Sequence, residues 1–223
     1  MSQGWPGVTN EQVPVLLQRM ALLQDGLNQQ VNQAADGHWH DAGHPYYRAV
    51  WVECAELLDH FGWKWWKHQQ ADLPQVKLEV VDIWHFGLSD MLRAGTLAVE
   101  KVPETVVAGF TRPVPAVDFR QAIEALAAQT LRLQSFPLSE FVTLMVSLPM
   151  DLRELYQLYV GKNVLNGFRQ DHGYQDGSYR KRWSGRDDNE HLEALAGQLD
   201  VTDARFPERL YQALEQSYDQ GRA

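Results

Sequence analysis

Cysteine is nearly absent from this sequence of 223 residues, because Cys54 is the only one. A single cysteine excludes an intrachain disulfide, so we expect a protein of a reducing compartment. No apolar run approaches the length of about 18 residues that a membrane-spanning helix needs. Residues 1–9 show no basic region followed by an apolar run, so we expect no signal peptide. These absences predict a soluble, cytoplasmic protein that has no membrane partner.

Positive charge is also scarce, since 20 Lys and Arg oppose 29 Asp and Glu and the net charge is −9. Nucleic acid is therefore not expected as a partner. Two nucleotide and acyl-transfer motifs are missing as well, because the chain has neither a GxxxxGK[ST] loop nor a GxSxG turn. Residues 161–163 (GKN) fall inside a predicted helix and cannot form a phosphate loop. A bound phosphate would have to be held by metal ions and side chains.

What the sequence does contain is two pairs of acids on neighbouring helices. Glu53 and Glu56 are three residues apart, a spacing that puts both side chains on one helix face. Glu79 and Asp82 repeat the spacing on the next helix. Apolar residues share the face of each pair, and the second helix is apolar nearly all round, which is typical of an interior helix. Four carboxylates are therefore expected in or beside the core.

The bounds of these two helices follow from their capping residues. The first is predicted to begin at Pro45 and to end at Gly62, a favoured C-terminal cap. The second is predicted to begin at Asp72, with Gln75 as its capping partner, and to end near Arg93.

Buried acids must be protonated, paired with a cation or bound to metal, because an unpaired buried charge costs many kcal/mol. Carboxylates that converge from two helices are the ligands that Mg²⁺ prefers. The alternative is a pair of amphipathic helices whose acids reach solvent at the edge of the stripe. The repetition of the pair on two apolar faces favours the metal.

Two amides on the first predicted helix are also placed on an apolar stripe. Residues 9–12 (TNEQ) form a capping box that begins this helix, and Gln24 and Asn28 lie four residues apart on its inner face. Buried amides need hydrogen-bond partners. They either bond to neighbouring backbone or bind the edge of a ligand such as a nucleobase.

Residues 63–67 (WKWWK) join the two acidic helices and combine three indoles with two lysines. Indoles can stack on a base and lysines can meet phosphate, whereas the alternative is a plug in the core with solvated lysines. The preceding loop, residues 32–44, contains His38, His40 and His44. Their spacing fits no zinc site, so we interpret them as loop residues.

A later helix, predicted over residues 151–173, turns polar along its inner stripe at Lys162, Asn166 and Arg169. From residue 161 to residue 186 there are six Lys or Arg and two Asp, in a chain that is acidic overall. A local positive patch that faces four carboxylates suits a metal-bound polyphosphate. The alternative, a basic loop for nucleic acid, is weaker because no nucleic-acid motif accompanies it.

Several blocks of the sequence closely resemble the dimeric dUTPases. The blocks keep that family's order and spacing from about residue 15 to residue 190, and only residues 95–145 contain no matching motif. They are residues 24–28 (QDGLN), 53–59 (ECAELLD), 63–67 (WKWWK), 79–86 (EVVDIWHF), 161–170 (GKNVLNGFRQ), 173–174 (GY), Lys181 and 186–190 (RDDNE).

The resemblance implies an all-α helical bundle of the all-α NTP pyrophosphatase type, related to MazG, that forms a homodimer. It implies Mg²⁺-dependent hydrolysis of dUTP to dUMP and pyrophosphate, with dUDP also accepted. It also implies attack on the β-phosphorus by water, which a bound metal would make more acidic. We expect one domain over residues 1–223, in which residues 96–145 can move as a sub-region.

The resemblance also implies roles for individual residues. The metal ligands would be Glu53, Glu56, Glu79 and Asp82, with Glu53 as the general base. The amides of Gln24 and Asn28 would read uracil, beside Trp63. His85 and Phe86 would lie beside the deoxyribose, where Phe86 could exclude a 2′-hydroxyl. The phosphate and sugar clamp would comprise Lys64, Lys162, Asn166, Arg169, Tyr174, Lys181, Arg186 and Asn189.

Three alternatives stay open from the sequence. A related pyrophosphatase could act on another nucleotide such as dCTP. A di-iron carboxylate bundle is loosely suggested by Asp82 and His85, although that class repeats its Glu-x-x-His motif. A dimer that binds a protein regulator in a nucleotide-dependent way could have the same acids.

Overall fold

Helix dominates a computed structural model of the chain, which describes residues 8–32, 39–148, 150–200, 203 and 205–221. These residues form nine α-helices, one short 3-10 helix and one two-stranded hairpin, so the prediction of an all-α fold is confirmed. The α-helices are α1 (Gln12–Val31), α2 (Tyr46–Phe61), α3 (Leu73–Arg93), α4 (Glu104–Thr111), α5 (Phe119–Leu133), α6 (Leu138–Ser147), α7 (Leu152–Asp171), α8 (Asp188–Ala196) and α9 (Phe206–Gln220). The 3-10 helix is Trp39–Ala42, and the antiparallel strands are β1 (Arg182–Trp183) and β2 (Arg186–Asp187).

The bounds of α2 and α3 agree with those predicted from the capping residues. Pro45 is the N-cap of α2, and Gly62 ends it at a positive φ of 91° that suits glycine. Asp72 caps α3, where its Oδ1 accepts a hydrogen bond from the backbone N–H of Gln75. Gly95, at φ 69°, lies just beyond the end of α3.

Helix α3 is the centre of the bundle, because it packs on α1, α2 and α7. The side chains of Val80, Ile83, Trp84 and Leu88 are fully buried, so the expected interior helix is confirmed. Trp84 lies between the rings of Phe110 of α4 and Phe136 and Phe141 of the α5–α6 region. These contacts attach the second half of the chain to α3.

The motion of residues 96–145 as a sub-region, expected from the sequence, stays a prediction.

Other elements depart from the sequence prediction. Pro103, Pro113 and Pro115 in residues 96–116 indicate a connector from the sequence, but eight of these residues form α4, which Pro103 precedes as N-cap. The helical pattern of residues 118–148, broken near Pro137, predicts two helices, and these are α5 and α6. His38 lies outside the described residues, and His40 stacks on the ring of the buried Trp39. Among the described residues, every helix is too short or too polar to span a membrane.

Candidate active site

Three of the four predicted metal ligands lie together between α2 and α3. Carboxylate oxygens of Glu53, Glu56 and Glu79 are all within 4.8 Å of one another. The spacing of three residues on α2 brings Glu53 and Glu56 to the same side, and α3 presents the buried Glu79 to them. Glu79 is buried, Glu53 is half-buried and Glu56 is exposed. The cluster is therefore open to solvent on one side.

The electrostatics of this cluster favour an added cation. Burial, followed by the negative charge of Asp82 and a hydrogen bond with Glu79, raises the pKa of Glu53 to about 8. Burial also raises the pKa of Glu79, although the hydrogen bond with Glu53 opposes the rise. The Nε2 atom of His60 lies 3.6 Å from Glu79 Oε1. A cluster of oxygen ligands with excess negative charge fits a hard divalent ion.

The fourth predicted ligand, Asp82, is one turn further along α3 and is paired with a lysine. Its Oδ2 accepts a hydrogen bond of 3.0 Å from Lys162 Nζ, and both side chains are largely buried. Asp82 is thus outside the three-residue cluster, although its charge raises the pKa of Glu53. The contact links the acids of α3 to the polar stripe of α7.

A cavity of about 520 Å³ begins beside these acids. It is lined by residues of α1, α2, α3 and α7 and by residues 44 and 45, which precede α2. Nine of the predicted site residues line it: Gln24, Asn28, Glu53, Asp82, His85, Phe86, Lys162, Asn166 and Arg169. His44 and Ser89, for which we predicted no role in the site, also line it.

The amides of α1 are buried in a network of side chains in the cavity wall. Gln24 Nε2 donates to Asn28 Oδ1 and to Ser89 Oγ, each at 3.0 Å. Gln24 Oε1 accepts a bond of 2.9 Å from the hydroxyl of Tyr159, and His85 Nδ1 lies 2.7 Å from the same oxygen. The partners are side chains of α1, α3 and α7, rather than the backbone that the alternative interpretation offered.

His85 is a neutral side chain in this network. Burial, with a smaller effect of Lys162, lowers the pKa of His85 to about 3. Its ring centroid lies 4.4 Å from that of Tyr159. Its Nε2 is buried and has no hydrogen-bond partner among the described residues. An unpaired buried acceptor at a cavity wall is suited to a donor on a ligand.

The guanidinium of Arg169, which lines the cavity, is held in place by the buried carboxylate of Asp188. Arg169 donates through Nε and Nη2 to the two oxygens of Asp188, at 2.8 and 2.9 Å, and Asp188 is fully buried. Tyr179 donates to the same carboxylate at 2.9 Å. Burial alone would raise the pKa of Asp188, but the bonds from Arg169 keep it below its ordinary value. Asp188 therefore fixes the guanidinium plane.

Six further predicted residues do not line the cavity. Trp63 and Lys64 both contact Asp59 at the end of α2. Tyr174 is 52% exposed, with its ring 5.9 Å from the guanidinium of Arg169. The others lie on the hairpin and the start of α8: Lys181, which is 3.8 Å from Asp187, the exposed Arg186, and Asn189, which donates to Asp187.

Sequence reasoning missed Ser89, Tyr159, Asp188 and His60. The spacing from Glu56 to His60 is one helical turn and could have placed both on one face. Ser89 and Tyr159 sit on apolar helix faces, where a hydroxyl gives little sign of its partner. Asp188 lies inside the block 186–190 that the resemblance used, but its pairing with Arg169 needs the fold.

Comparison with known proteins identifies one family. The sequence model of a family described as dUTPase matches residues 16–174. No match was found among curated proteins. The matched residues run from α1 to the turn after α7, so they include the acid cluster and every residue of the cavity wall.

Proposed function

The chain belongs to the all-α dUTPase family, whose members hydrolyse dUTP, and on that premise we propose a specific reaction. The protein converts dUTP to dUMP and pyrophosphate, accepts dUDP as well, and depends on Mg²⁺. The acid cluster carries this proposal, because Glu53 lines the cavity that also contains the amide network. A polyphosphate and a base could thus be bound by one continuous wall.

Glu53, Glu56 and Glu79 are the residues that would hold Mg²⁺, and Asp82 would join them on leaving Lys162. When bound, Mg²⁺ neutralises charge on phosphate oxygens and makes a nearby water more acidic. Glu53 lines the cavity beside the cluster, and once metal binding has displaced its own proton it is the carboxylate proposed to accept a proton from that water. Its burial beside like charges supports its role as general base.

The cations of α7 would bind the phosphates. Lys162 and Arg169 both line the cavity, and they lie about two helical turns apart on α7. They can neutralise charge that develops on the leaving group. Arg169 is already oriented by Asp188, so little side-chain entropy remains to be lost on binding.

The base and sugar would lie towards α1 and the middle of α3. The amide network of Gln24 and Asn28 would discriminate uracil by hydrogen bonds that a wrong base leaves unpaired. Phe86 lines the same cavity and would pack against the deoxyribose. Trp63, Lys64, Tyr174, Lys181, Arg186 and Asn189 are proposed to approach the ligand from the surface.

We also propose a homodimer. Trp51 and Val52 of α2 are 38% and 40% exposed, next to the helix face that carries the acids. Large exposed apolar side chains at adjacent positions favour burial against another protein. A second copy on this face would lie close to the cavity.

The test is release of pyrophosphate from a panel of dNTPs and NTPs, and of phosphate from dUDP, with and without Mg²⁺. We expect hydrolysis of dUTP and dUDP that disappears when the metal is chelated. Preference for dCTP would instead support the related pyrophosphatase. Iron dependence would support the di-iron bundle, although His85 is bonded to Gln24 rather than gathered with the acids.

Glu79→Gln is the first informative variant. It removes one charge from the cluster, and we expect at least a hundredfold loss of dUTP hydrolysis, on the order of the effect of removing a group that orients or binds a catalytic metal. Glu124→Gln, which changes an exposed acid of α5, is the matched control and should keep full activity. Full activity in Glu79→Gln would contradict the proposed metal site.

A further inference from the structure

The carboxamide of Gln24 has no hydrogen-bonding position left for a ligand. A carboxamide offers two acceptor and two donor positions. The acceptor positions are used by Tyr159 and His85, and the donor positions by Asn28 and Ser89. Gln24 is also 3% exposed. In this arrangement it acts on a ligand only through its neighbours.

Two of those neighbours keep an unused polar position at the cavity wall. Asn28 Nδ2 uses one hydrogen in its bond of 3.0 Å to Ser89 Oγ, and its second hydrogen has no acceptor in the described part of the chain. His85 Nε2 is the buried nitrogen that has no partner among the described residues. Both residues line the cavity, so a ligand there meets one donor and one ring nitrogen.

The orientation of Gln24 decides the polarity of both positions. Because His85 Nδ1 faces the oxygen Oε1, Nδ1 carries the proton and Nε2 is an acceptor. A half-turn of the carboxamide would bring its NH₂ to His85, and the imidazole proton would have to move to Nε2. The same half-turn would bring the oxygen of Gln24 to Asn28, which would then have to rotate and present its own oxygen to the cavity.

The hydroxyl of Tyr159 selects one of these two orientations. Tyr159 is fully buried, and its oxygen accepts a bond of 3.4 Å from Asn163 Nδ2, so its own hydrogen is directed elsewhere. Its two acceptors are Gln24 Oε1 at 2.9 Å and the carbonyl of Met20 at 3.0 Å. The Met20 carbonyl lies within α1, where it already accepts the helical bond from residue 24. The carbonyl has a second lone pair, so the single hydroxyl hydrogen has two acceptors in reach; we assign it to the nearer one, Gln24 Oε1, and this bond keeps Oε1 towards α7.

We propose that Tyr159 is a positioning residue for base selectivity, which acts by fixing the Gln24 carboxamide so that Asn28 presents a donor to the cavity. Uracil carries a carbonyl oxygen at C4, whereas cytosine carries an amino group there. A fixed N–H donor therefore favours uracil and disfavours cytosine. The inference rests on the proposed function, because it requires a pyrimidine nucleotide in this cavity.

Tyr159→Phe tests the proposal, because it removes only the hydroxyl. We measure kcat and KM for dUTP and dCTP, and we expect the ratio of the two kcat/KM values to fall about tenfold, the equivalent of one lost buried hydrogen bond. The main effect should be a higher KM for dUTP, with little change in kcat, because the substitution leaves the acid cluster unchanged. Ser89→Ala, which removes the acceptor shared by both amides, should change the ratio in the same direction.

The matched control is Tyr218→Phe. Tyr218 is also buried, and its hydroxyl accepts a bond of 3.2 Å from the backbone N–H of Arg180, in the aromatic cluster near the hairpin. The Tyr218→Phe variant loses a comparable buried hydroxyl but keeps the carboxamide network of Gln24 intact. Its preference for dUTP over dCTP should therefore equal that of the wild type. An equally large fall in the ratio of the dUTP and dCTP kcat/KM values in Tyr218→Phe would indicate a general effect of lost stability and would overturn the proposal.

A second measurement separates this proposal from the proposed function. Calorimetric binding of dUMP and dCMP reports base preference without hydrolysis. A wild-type protein that does not hydrolyse dUTP overturns the proposed function, and the binding ratio still tests Tyr159. An active wild type together with unchanged ratios in Tyr159→Phe and Ser89→Ala, in both assays, overturns the role of Tyr159 alone. If Tyr159→Phe does not fold, Ser89→Ala decides.

Discussion

Glu53 shows how burial and neighbouring like charges act on one side chain. Its pKa rises from an ordinary 4.5 to about 8, so between these values the folded chain holds a proton that the unfolded chain releases. Without metal, the contribution of Glu53 to the stability of the folded chain is complete below pH 4.5. It is lost as the pH rises through about 8. Metal binding has to displace the same proton.

The affinity for Mg²⁺ should therefore increase between about pH 6 and pH 8, because deprotonated carboxylates are the ligands. Calorimetry in two buffers of different ionisation enthalpy measures the affinity and the number of protons released, which we expect to be close to one. Glu53→Gln should weaken binding and flatten the pH dependence. An affinity in the wild type that is independent of pH over this range would contradict the assignment.

Phe86 acts at the same scale, as a steric group beside the proposed sugar position. Phe86→Ala should raise UTP turnover relative to dUTP turnover, because it opens room for a 2′-hydroxyl. The measurement is the ratio of kcat/KM for the two nucleotides. An unchanged ratio would show that another group excludes the ribonucleotide.

At the scale of elements, α3 and the α5–α6 turn lie so close together that residue 87 of α3 has room for no side chain larger than that of glycine. A Cβ added at Gly87 of α3 would lie 2.6 Å from ring atoms of Phe136. The turn is held there because the backbone N–H of Phe136 donates to the buried Asp90 at 2.8 Å. The glycine is therefore required by packing, since Phe136 has no simple way to withdraw.

Gly87→Ala should lower the free energy of unfolding by about 1–3 kcal/mol, the usual cost of overpacking a core. Urea unfolding measures the change. Gly26→Ala in α1 is the matched control, because a Cβ there meets no atom within 4 Å. It should stabilise the protein by roughly 0.5–1 kcal/mol through helix propensity. Equal effects of the two changes would refute the packing argument.

The sequence predicted most helix bounds because capping residues act locally. Gly62, Asp72 and Asp151 each end or begin a helix where expected, since each needs only its neighbours. Helix α4 was missed because the prolines around it suggested a connector, although Pro103 only precedes its first turn.

The site was predicted in its residues but not in its pairings. Acid spacing was enough to bring Glu53 and Glu56 to one face of α2, because helix periodicity fixes it, whereas Glu79 joins them through the packing of α3 on α2. The pairs Asp82–Lys162 and Gln24–Tyr159 join helices that are 80 and 135 residues apart in the chain. Only the packing of α1, α3 and α7 determines such contacts.

At the scale of the whole molecule, the exposed face of α2 predicts association. We expect light scattering to give twice the chain mass of 25.5 kDa. Trp51→Lys should shift the population towards the single chain, because it places a charge in the proposed interface. Leu131→Lys, a change at a 50% exposed position on α5, is the control and should leave the mass unchanged. A wild-type protein of single-chain mass would contradict the dimer.

Helix α3 carries Glu79 at one end of the cavity region and Ser89 at the other. Ten residues of helix separate them by roughly 15 Å, a distance set by the rise of a single rigid element. The gap between the cation end and the base end is therefore a fixed length. Under the proposed function, a nucleotide whose phosphate chain is too short to span this length would not contact both ends at once, so α3 would set a minimum length for a substrate that does.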